Sequence, residues 1–536
     1  MRFPVALAAS VGVAILAAWA WLGWPVNMPP TPYFAPDDKL PCVSYAPFRP
    51  GQSPFIEGLV IPPEQIDDDF ARLSKITACV RTYSTEMGLS VAPELARKHG
   101  LTLLQGIWIG REPDKNRIEI EAGIKLAQQN PDVVKGVIVG NEVLLRGELT
   151  AADLGRVIRD VRARAGVPVT YADVWEFWVR NRELAADVDF VTVHILPFWE
   201  DLPVSADDAV AHIDSIRAHV GEAFPGRDIL IGETGWPSAG RMREGAEPSP
   251  ANQAQVIQQL LSLAKQRSYR LNVIEAFDQP WKRALEGTVG GHWGFLDAYS
   301  RDFKFAWAQP VSNHPLWPVQ ALLGLAVAGA TFAAAAWGAR RAGQPAPEPL
   351  QWLPVAGIAL AAGIAYGWAV AAVWVESLGP WGWLRGLVLL ALGLAAPLVA
   401  AAALGARAPR PVLATALQPA RWSEAPGVEI ALAVVLALTV VLATQIGFGL
   451  VFDPRYKDFQ FAALTPIIAA LAIQAAVAAP AGAGERHAER IAAAVFAASG
   501  VYIALNETLA NWQALWTGTL MVLFALTLWR TSAARG

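Results

Sequence analysis

The hydrophobic and polar positions divide the chain at about residue 314. Before that point, short apolar runs alternate with charged, amphipathic segments, as in a water-soluble domain. Beyond it, long uncharged runs such as "LLGLAVAGATFAAAAW" dominate. This change predicts a folded domain over residues 28–313, preceded by a transmembrane anchor over 1–27 and followed by a membrane region over 314–536.

Eight short β-branched runs occur between residues 38 and 283, each followed by a segment of helical period. Thr150 and Ser249 are predicted N-caps, with Gly166 as a C-terminal stop and Pro250 at a first helical position. Eight strand–helix units in about 250 residues predict a (β/α)8 TIM barrel. A doubly wound sheet is the alternative, but no GxGxxG follows the first strand. The predicted strands are 40–46, 77–83, 102–109, 136–142, 167–173, 189–195, 228–233 and 272–277.

Eight apolar stretches are long enough to form transmembrane helices. They are predicted at 4–24, 316–337, 352–374, 383–404, 428–450, 461–480, 491–509 and 511–530. Arginines concentrate in alternate connections, beginning with Arg340 and Arg341, and this bias places those connections in the cytoplasm. Eight crossings then put residues 28–313 outside. A cleaved signal peptide is the alternative for residues 4–24, but "WAWLGWPV" is a poor cleavage site.

The charge balance differs between the two parts of the chain. Residues 1–313 contain 38 acidic and 31 basic residues, and residues 314–536 contain 9 and 12, which gives the overall net charge of −4. A phosphate-binding face needs an excess of Lys and Arg. The acidic soluble part therefore argues against nucleic acid as a partner.

Cys42 and Cys79 are the two cysteines of the chain. The alternation within each predicted strand points their side chains to different faces, which predicts buried thiols. A disulfide between them is the alternative.

Two glutamates end predicted strands. "VIVGNE" places Asn141 and Glu142 at the tip of the fourth strand, and "ILIGE" ends the seventh at Glu233. Both tips face the barrel rim where active sites lie. Two carboxyl groups across that rim can cleave a glycosidic bond, one protonating the leaving oxygen and the other attacking or stabilising the sugar C1. A separation of about 5–5.5 Å indicates retention of configuration, and about 6.5–9.5 Å indicates inversion.

Aromatic residues cluster at the same strand ends. Filling a core is their usual use, but sugar rings also stack on indole and phenol rings. About half of these residues are expected to line a groove, with Trp236 as a sugar platform beside Glu233. The aromatic residues predicted to bind substrate are Tyr45, Tyr83, Tyr171, Trp175, Trp199, Trp236 and Trp281.

Arg81 and His194 are polar residues within predicted strands. Arg81 is expected to be buried and paired with a carboxylate, either to tune the nucleophile or as a structural ion pair. His194 ends the sixth strand and is expected to form hydrogen bonds at the floor of the site. Because no second His or Cys stands at ligand spacing, neither a metal nor another cofactor is predicted.

The motifs together resemble family 17 glycoside hydrolases, which are retaining (β/α)8 enzymes acting on β-1,3-glucans. They are "VGNE" and "GETGWPS" at the fourth and seventh strands, with "SYAPF", "VRTYS" and "HWGF" at the first, second and after the eighth. The resemblance covers about residues 38–308. It implies that Glu142 is the acid/base, that Glu233 is the nucleophile and that Asn141 binds the sugar in the −1 subsite.

The region of the eighth strand, "EAFDQPWKRALEG", resembles an acidic and lysine cluster of the same family. The resemblance implies substrate-binding roles for Lys282 and Glu286. An Asn-Glu-Asn run of plant members is replaced here by "DQP", and Asp278 is carried over as a substrate-binding residue.

The resemblance and the predicted location lead to one expected function. The chain is expected to be a retaining enzyme of a bacterial inner membrane, with its barrel on the periplasmic side. It is expected to transfer β-1,3-glucan chains and to introduce β-1,6 branches or closures. The alternatives are a membrane-anchored endo- or exo-hydrolase and a catalytically silent glucan-binding or export protein. The expected partners are β-glucan, membrane lipid and a glucan synthase or export complex.

Residues 418–422, "QPARW", match an acceptor-end motif of processive β-glycan synthases. A loop of about twenty residues cannot hold a nucleotide-sugar domain, which needs on the order of 100 residues to build a core. The match is therefore interpreted as chance.

Overall fold

The computed structural model describes residues 2–33, 35, 38–417, 426–480 and 486–532. The segment "QPARW" therefore lies outside the described residues. The chain forms two units. One comprises Val26–Ala239 and Gly245–Val311, and the other comprises Met1–Pro25, Gly240–Glu244 and Ser312–Gly536.

Eight parallel strands form the sheet of the first unit. Each strand pairs with the next one along the chain. A parallel bridge between Val43 and Val273 brings the continuation of the last strand back to the first, which closes the sheet into a barrel. The predicted TIM-barrel fold is confirmed. The strands are β1 (Val43–Ser44), β2 (Cys79–Arg81), β3 (Thr102–Ile107), β4 (Val134–Asn141), β5 (Val169–Val174), β6 (Val191–His194), β7 (Ile229–Glu233) and β8 (Arg270–Leu271).

Helices follow most of the strands and continue beyond the barrel. The first nine are α1 (Arg2–Leu22), α2 (Pro63–Leu73), α3 (Ala92–Lys98), α4 (Pro113–Gln129), α5 (Ala151–Arg164), α6 (Trp175–Arg180), α7 (Ala206–Ala223), α8 (Pro250–Arg267) and α9 (Arg283–Gly290). The others are α10 (Trp317–Arg341), α11 (Trp352–Glu376), α12 (Gly379–Gly405), α13 (Leu413–Leu417), α14 (Gly427–Phe452), α15 (Phe461–Val477), α16 (His487–Asn506) and α17 (Trp512–Ser532).

The predicted caps form at the ends of α5 and α8. The Thr150 side chain accepts from the Asp153 amide, and the Ser249 side chain accepts from the Asn252 amide. Each bond satisfies one amide that has no partner inside its helix. Pro250 is the first residue of α8, where its missing amide hydrogen has no cost.

The last strand differs from its prediction. β8 covers Arg270–Leu271 rather than residues 272–277. The chain after Leu271 still hydrogen-bonds to β1, since the Val273 amide donates to Cys42 O and the Ala276 amide donates to Ser44 O. It also pairs with the segment around Leu296, to which Phe277 is bridged. These bonds to β1 and to the segment around Leu296 replace a regular strand after Leu271. The apolar pattern of the sequence does not reveal them.

The cysteines form a disulfide, contrary to the expected buried thiols. Val43 lies opposite Val80 in the β1–β2 pair, so Cys42 lies opposite Cys79, and their Cα atoms are 4.3 Å apart. Residues opposite each other on neighbouring strands point to the same face. The prediction of different faces was wrong because the register between two strands decides the relative phase of their side chains, and the alternation within one strand does not give that register.

The helical unit is rich in long apolar helices. Seven of its described helices are long and apolar enough to cross a bilayer, and α15, with 17 residues, is shorter. The helices pack closely through small residues. A Cβ on Gly324 of α10 would lie 1.9 Å from the Gly363 carbonyl oxygen of α11, so this contact requires glycine.

Candidate active site

Three polar side chains meet where β4, β6 and β7 end. β4 ends at Asn141 with Glu142 next, β6 ends at His194 and β7 ends at Glu233. Parallel register places His194 opposite Glu233, and the Glu142 amide donates to the Ala172 carbonyl of β5 at 2.8 Å. The carboxyl ends of all strands lie at one rim of a barrel, so these side chains share one space.

The two carboxylates at this rim are close together. A carboxylate oxygen of Glu142, one of Glu233 and a ring nitrogen of His194 all lie within 4.8 Å of one another. His194 Nδ1 is 3.1 Å from Glu142 Oε1, and its Nε2 is 3.7 Å from Glu233 Oε1. This spacing fits the separation of about 5–5.5 Å in retaining glycosidases, not the wider gap that admits a water in inverting ones.

Arg81 and Tyr83 hold the Glu233 carboxylate. Arg81 Nη1 donates to Glu233 Oε1 at 2.7 Å and to the Gly232 carbonyl at 2.9 Å, and Tyr83 Oη donates to the same carboxylate oxygen at 2.9 Å. The other guanidinium nitrogen of Arg81 donates to Asn141 Oδ1 at 2.5 Å. Arg81 is fully buried. The predicted burial and carboxylate pairing of Arg81 are confirmed.

These contacts keep Glu233 ionised. Burial raises the pKa of a carboxyl group, but the charges of His194, Arg81 and Lys282 and the Tyr83 hydrogen bond together outweigh it and lower the pKa of Glu233. A carboxylate that is buried, ionised and fixed by two donors can act as a nucleophile.

A second group of charges surrounds Lys282. Its Nζ donates to Glu275 Oε2 at 2.5 Å. Burial raises the pKa of Glu275 to about 7, with the charges of Glu233 and Glu286 adding to it and Lys282 opposing it. Burial also raises the pKa of Glu286 against the opposing charge of Lys282. Lys282 therefore links these two acids electrostatically to Glu233.

The residue pattern and the geometry agree with a known family. Residues 42–294 match the family model described as the BtgE/BtgC glycoside hydrolase domain. The barrel is a BtgE/BtgC-type glycoside hydrolase domain. The resemblance to family 17 glycoside hydrolases, based on the strand-end motifs, is confirmed.

The glycoside hydrolase domain is similar to fungal enzymes. A glucan 1,3-β-glucosidase of Saccharomyces cerevisiae is 28% identical over 275 residues, which are 45% of this chain and 85% of that protein. A probable β-glucosidase btgE of Neosartorya fischeri is 30% identical over 229 residues, but the match covers 40% of that protein. A solved structure of a family 17 β-1,3-glucanosyltransferase from Rhizomucor miehei is 30% identical over 96% of its chain and 50% of this one, with a TM-score of 0.43.

Several aromatic residues of the glycoside hydrolase domain do not lie where the sequence predicted. Trp236 is fully buried against Phe198, with its Nε1 donating to the Glu247 carbonyl at 2.9 Å. The expectation of a sugar platform at Trp236 is therefore wrong. Tyr45 and Tyr171 are also fully buried. Burial of apolar rings in the core prevails over their position at a strand end.

Other aromatic residues keep exposed surface. Trp175, Trp199 and Trp281 are half-buried. Trp199 stacks on Trp293 with 6.4 Å between ring centroids, and Trp281 contacts Phe48. Trp175, Trp199 and Trp281 follow β5, β6 and β8 in the chain, so they remain candidates for contacts with sugar.

Asp278 is bound by Lys304 and by the Gly294 amide. Its Oδ1 accepts from Lys304 Nζ at 2.7 Å and from the Gly294 amide at 2.9 Å. The side chain is almost fully buried. Among the described residues, Asp278 thus forms a buried ion pair with Lys304.

Glu142, His194 and Glu233 also have a spacing that could hold a metal ion. Glu233 Oε1, however, already accepts from the Arg81 guanidinium and the Tyr83 hydroxyl. A cation at this oxygen would face a fixed positive charge, which disfavours binding. The donor set suits proton transfer and nucleophilic attack better than metal coordination.

The sequence patterns did not reveal two acids of the site, Glu275 and Asp173. Glu275 interrupts the apolar run "NVIEAF", and Asp173 ends "VTYAD". A single acid in an otherwise apolar strand was a signal that could have found each of them. Both are buried, and both have raised pKa values because of burial.

Proposed function

We propose that this protein is a retaining β-1,3-glucan-active enzyme in which Glu142 is the acid/base and Glu233 the nucleophile. Glu142 protonates the glycosidic oxygen while Glu233 attacks C1, so the C1–O bond breaks and a glycosyl ester forms. Glu142 then takes a proton from an incoming hydroxyl, which attacks C1 and releases Glu233. Asn141 and the cluster around Lys282 bind the sugar beside Glu233.

One observation carries this proposal. Oxygens of Glu142 and Glu233 approach within 4.8 Å at the strand ends of a closed barrel, and Glu233 is held by Arg81 and Tyr83. The glucan-active relatives support β-1,3-glucan as the substrate class.

We further propose that a sugar hydroxyl, rather than water, is the main acceptor. The half-buried Trp175 and Trp199 follow β5 and β6, and β5 pairs with β4, the strand that leads to Glu142. Their rings offer stacking surface to a second sugar, which lets its hydroxyl compete with water for the glycosyl enzyme. Transfer of this kind elongates, branches or closes glucan chains.

We also propose that the helical unit crosses a bacterial inner membrane and that the barrel lies on the periplasmic side. Exposed tryptophans stand near both ends of the apolar helices, as at membrane interfaces, including Trp21, Trp337, Trp374, Trp381 and Trp529. The Cys42–Cys79 disulfide supports the same side, because disulfides persist in oxidising compartments.

The test uses the purified full-length protein in detergent with defined β-1,3-gluco-oligosaccharides, and mass spectrometry of the products. Products longer than the input are expected, and linkage analysis of them tests for β-1,6 bonds. Exclusively shorter products would show a hydrolase instead. Glu233→Gln, which keeps the shape and hydrogen bonds but removes the nucleophile, is the matched control and is expected to be inactive. Glucan processing that is equal in both proteins would contradict the assigned roles.

A further inference from the structure

The chain around Glu142 has an unusual backbone. Glu142 has φ 54°, and Gly140, two residues earlier, has φ 81°. Positive φ values are costly for a residue with a side chain, and such a conformation persists only when its surroundings fix it. The turn that carries Glu142 therefore needs an external support.

Neighbouring β5 provides that support. The Glu142 amide donates to the Ala172 carbonyl at 2.8 Å. The Leu144 amide donates to Tyr171 Oη at 3.0 Å and to Asp173 Oδ2 at 3.2 Å. Three consecutive residues of β5 thus accept hydrogen bonds from two amides of the turn, those of Glu142 and Leu144.

Asp173 is the centre of this support. Its Oδ2 also accepts from the Leu145 amide at 3.4 Å and from the Tyr171 hydroxyl, and its Oδ1 accepts from the Val174 amide at 2.8 Å. The side chain is fully buried. Burial raises the pKa of Asp173 to about 6, although the Tyr171 hydrogen bond and His194 oppose it. A buried carboxyl group is costly unless donors satisfy it, and here most of the donors belong to the turn after Glu142 or to Tyr171.

We propose that Asp173 and Tyr171 are positioning residues that fix the left-handed turn after β4 and so aim the Glu142 carboxyl at the glycosidic oxygen. This inference rests on the proposed acid/base role of Glu142. Tyr171 was expected to bind substrate, but its hydroxyl is committed to Asp173 and the Leu144 amide. Neither side chain needs to touch the sugar for this role.

Asp173→Asn in the full-length protein tests the proposal through the dependence of rate on the leaving group. A displaced acid slows cleavage of β-1,3-gluco-oligosaccharides, whose leaving group needs a proton, by about 100-fold in kcat with KM nearly unchanged. A 2,4-dinitrophenyl β-glucoside needs no such proton, and azide can attack the glycosyl enzyme without a base. With the dinitrophenyl glucoside as substrate and azide as acceptor, Asp173→Asn is expected to keep a rate close to that of the wild type.

Tyr171→Phe is the second variant and removes one hydroxyl without changing charge. Its rate on β-1,3-gluco-oligosaccharides is expected to fall, relative to its rate on the dinitrophenyl glucoside, by about tenfold. Asp189→Asn is the matched control, because Asp189 Oδ2 accepts from the Val169 amide at 2.8 Å at the other end of β5. Asp189→Asn is expected to leave both rates unchanged.

The outcomes separate this inference from the proposed function. Glu142→Gln is expected to lose activity on the oligosaccharides but not on the dinitrophenyl glucoside. If it does so, while Asp173→Asn and Tyr171→Phe lose activity on both substrates equally, the positioning role is wrong. If Glu142→Gln itself shows no such difference between the substrates, the acid/base assignment is wrong. Should Asp173→Asn not fold, Tyr171→Phe decides alone, since an equal loss on both substrates then contradicts the proposal.

Discussion

At the scale of single residues, the site depends on how a buried carboxylate stays ionised. Glu233 has only 6% of its side chain exposed, which favours the protonated form. The charges of His194, Arg81 and Lys282, with the Tyr83 hydrogen bond, reverse that preference, and Arg81, 1% exposed, lies 2.7 Å from Glu233 Oε1. Removing one partner of such a buried pair costs about 3–5 kcal/mol, since the other charge is left without compensation. Arg81 therefore serves both the fold and the charge of the nucleophile.

Tyr83→Phe is expected to change the pH dependence of the reaction. The Tyr83 hydroxyl donates to Glu233 Oε1, and this bond helps to lower the pKa of Glu233. Without it the pKa of Glu233 rises, so protonation disables the nucleophile at a higher pH. The acid limb of kcat/KM against pH should move upward by roughly one unit. Tyr269→Phe, which removes a hydroxyl bonded to Asp214, is the control and should leave the limb unmoved.

The sequence predicted some of these residues and not others for a physical reason. Glu142 and Glu233 were found because each ends a strand, and strand ends of a barrel converge. Two of the amides that bind Asp173, those of Leu144 and Leu145, lie in the turn after β4, and no pattern along the chain reveals these contacts. The burial of Trp236 likewise depends on Phe198 and Trp293, which come from other loops. Position in the chain can be read from sequence, whereas exposure cannot.

At the scale of elements, register between strands explains the main corrections. One residue of slip moves every side chain to the other face, so the pairing of Cys42 with Cys79 follows from the alignment of β1 with β2. The chain after β8 bonds to β1 and to the segment around Leu296. These bonds similarly decide where β8 ends as a regular strand. Helix limits were more predictable, because caps such as Thr150 are local.

Cys42→Ala with Cys79→Ala is expected to destabilise the barrel. The disulfide closes a loop with a sequence separation of 37, and loss of such a cross-link costs about 3–4 kcal/mol. The temperature at which activity is lost should fall accordingly in the double variant. Reductant should lower that temperature in the wild type and have no further effect on the variant. An unchanged temperature in all four cases would show that the link adds no stability.

At the scale of the whole molecule, the proposed orientation of the chain depends on how many of its apolar helices cross the membrane. Seven described helices are long enough, and α15 has 17 residues, or about 25 Å of helix against about 30 Å of hydrocarbon. Eight crossings were predicted from hydropathy, and the long helices agree with seven of them. Crossing of a bilayer stays a prediction for all eight helices, and α15 is the one that is shorter than the hydrocarbon thickness.

Alkaline phosphatase fusions test this arrangement, because the enzyme becomes active only in an oxidising compartment. A fusion after Val311 is expected to be active, and one after Arg341 inactive. A fusion after Ser532 decides the role of α15. With eight crossings it is inactive, whereas an active fusion there would show that α15 does not cross.

The two ends of the barrel unit are joined by a pair of backbone bonds. The Val26 amide donates to the Val311 carbonyl at 2.8 Å, and the Val311 amide returns the bond at 3.0 Å. A domain whose two ends lie close together can be inserted into a surface loop of another protein with little distortion of that protein. The entry and the exit of the barrel unit are therefore fixed to each other by its own backbone, and Gly240–Glu244 is the internal segment that belongs to the other unit.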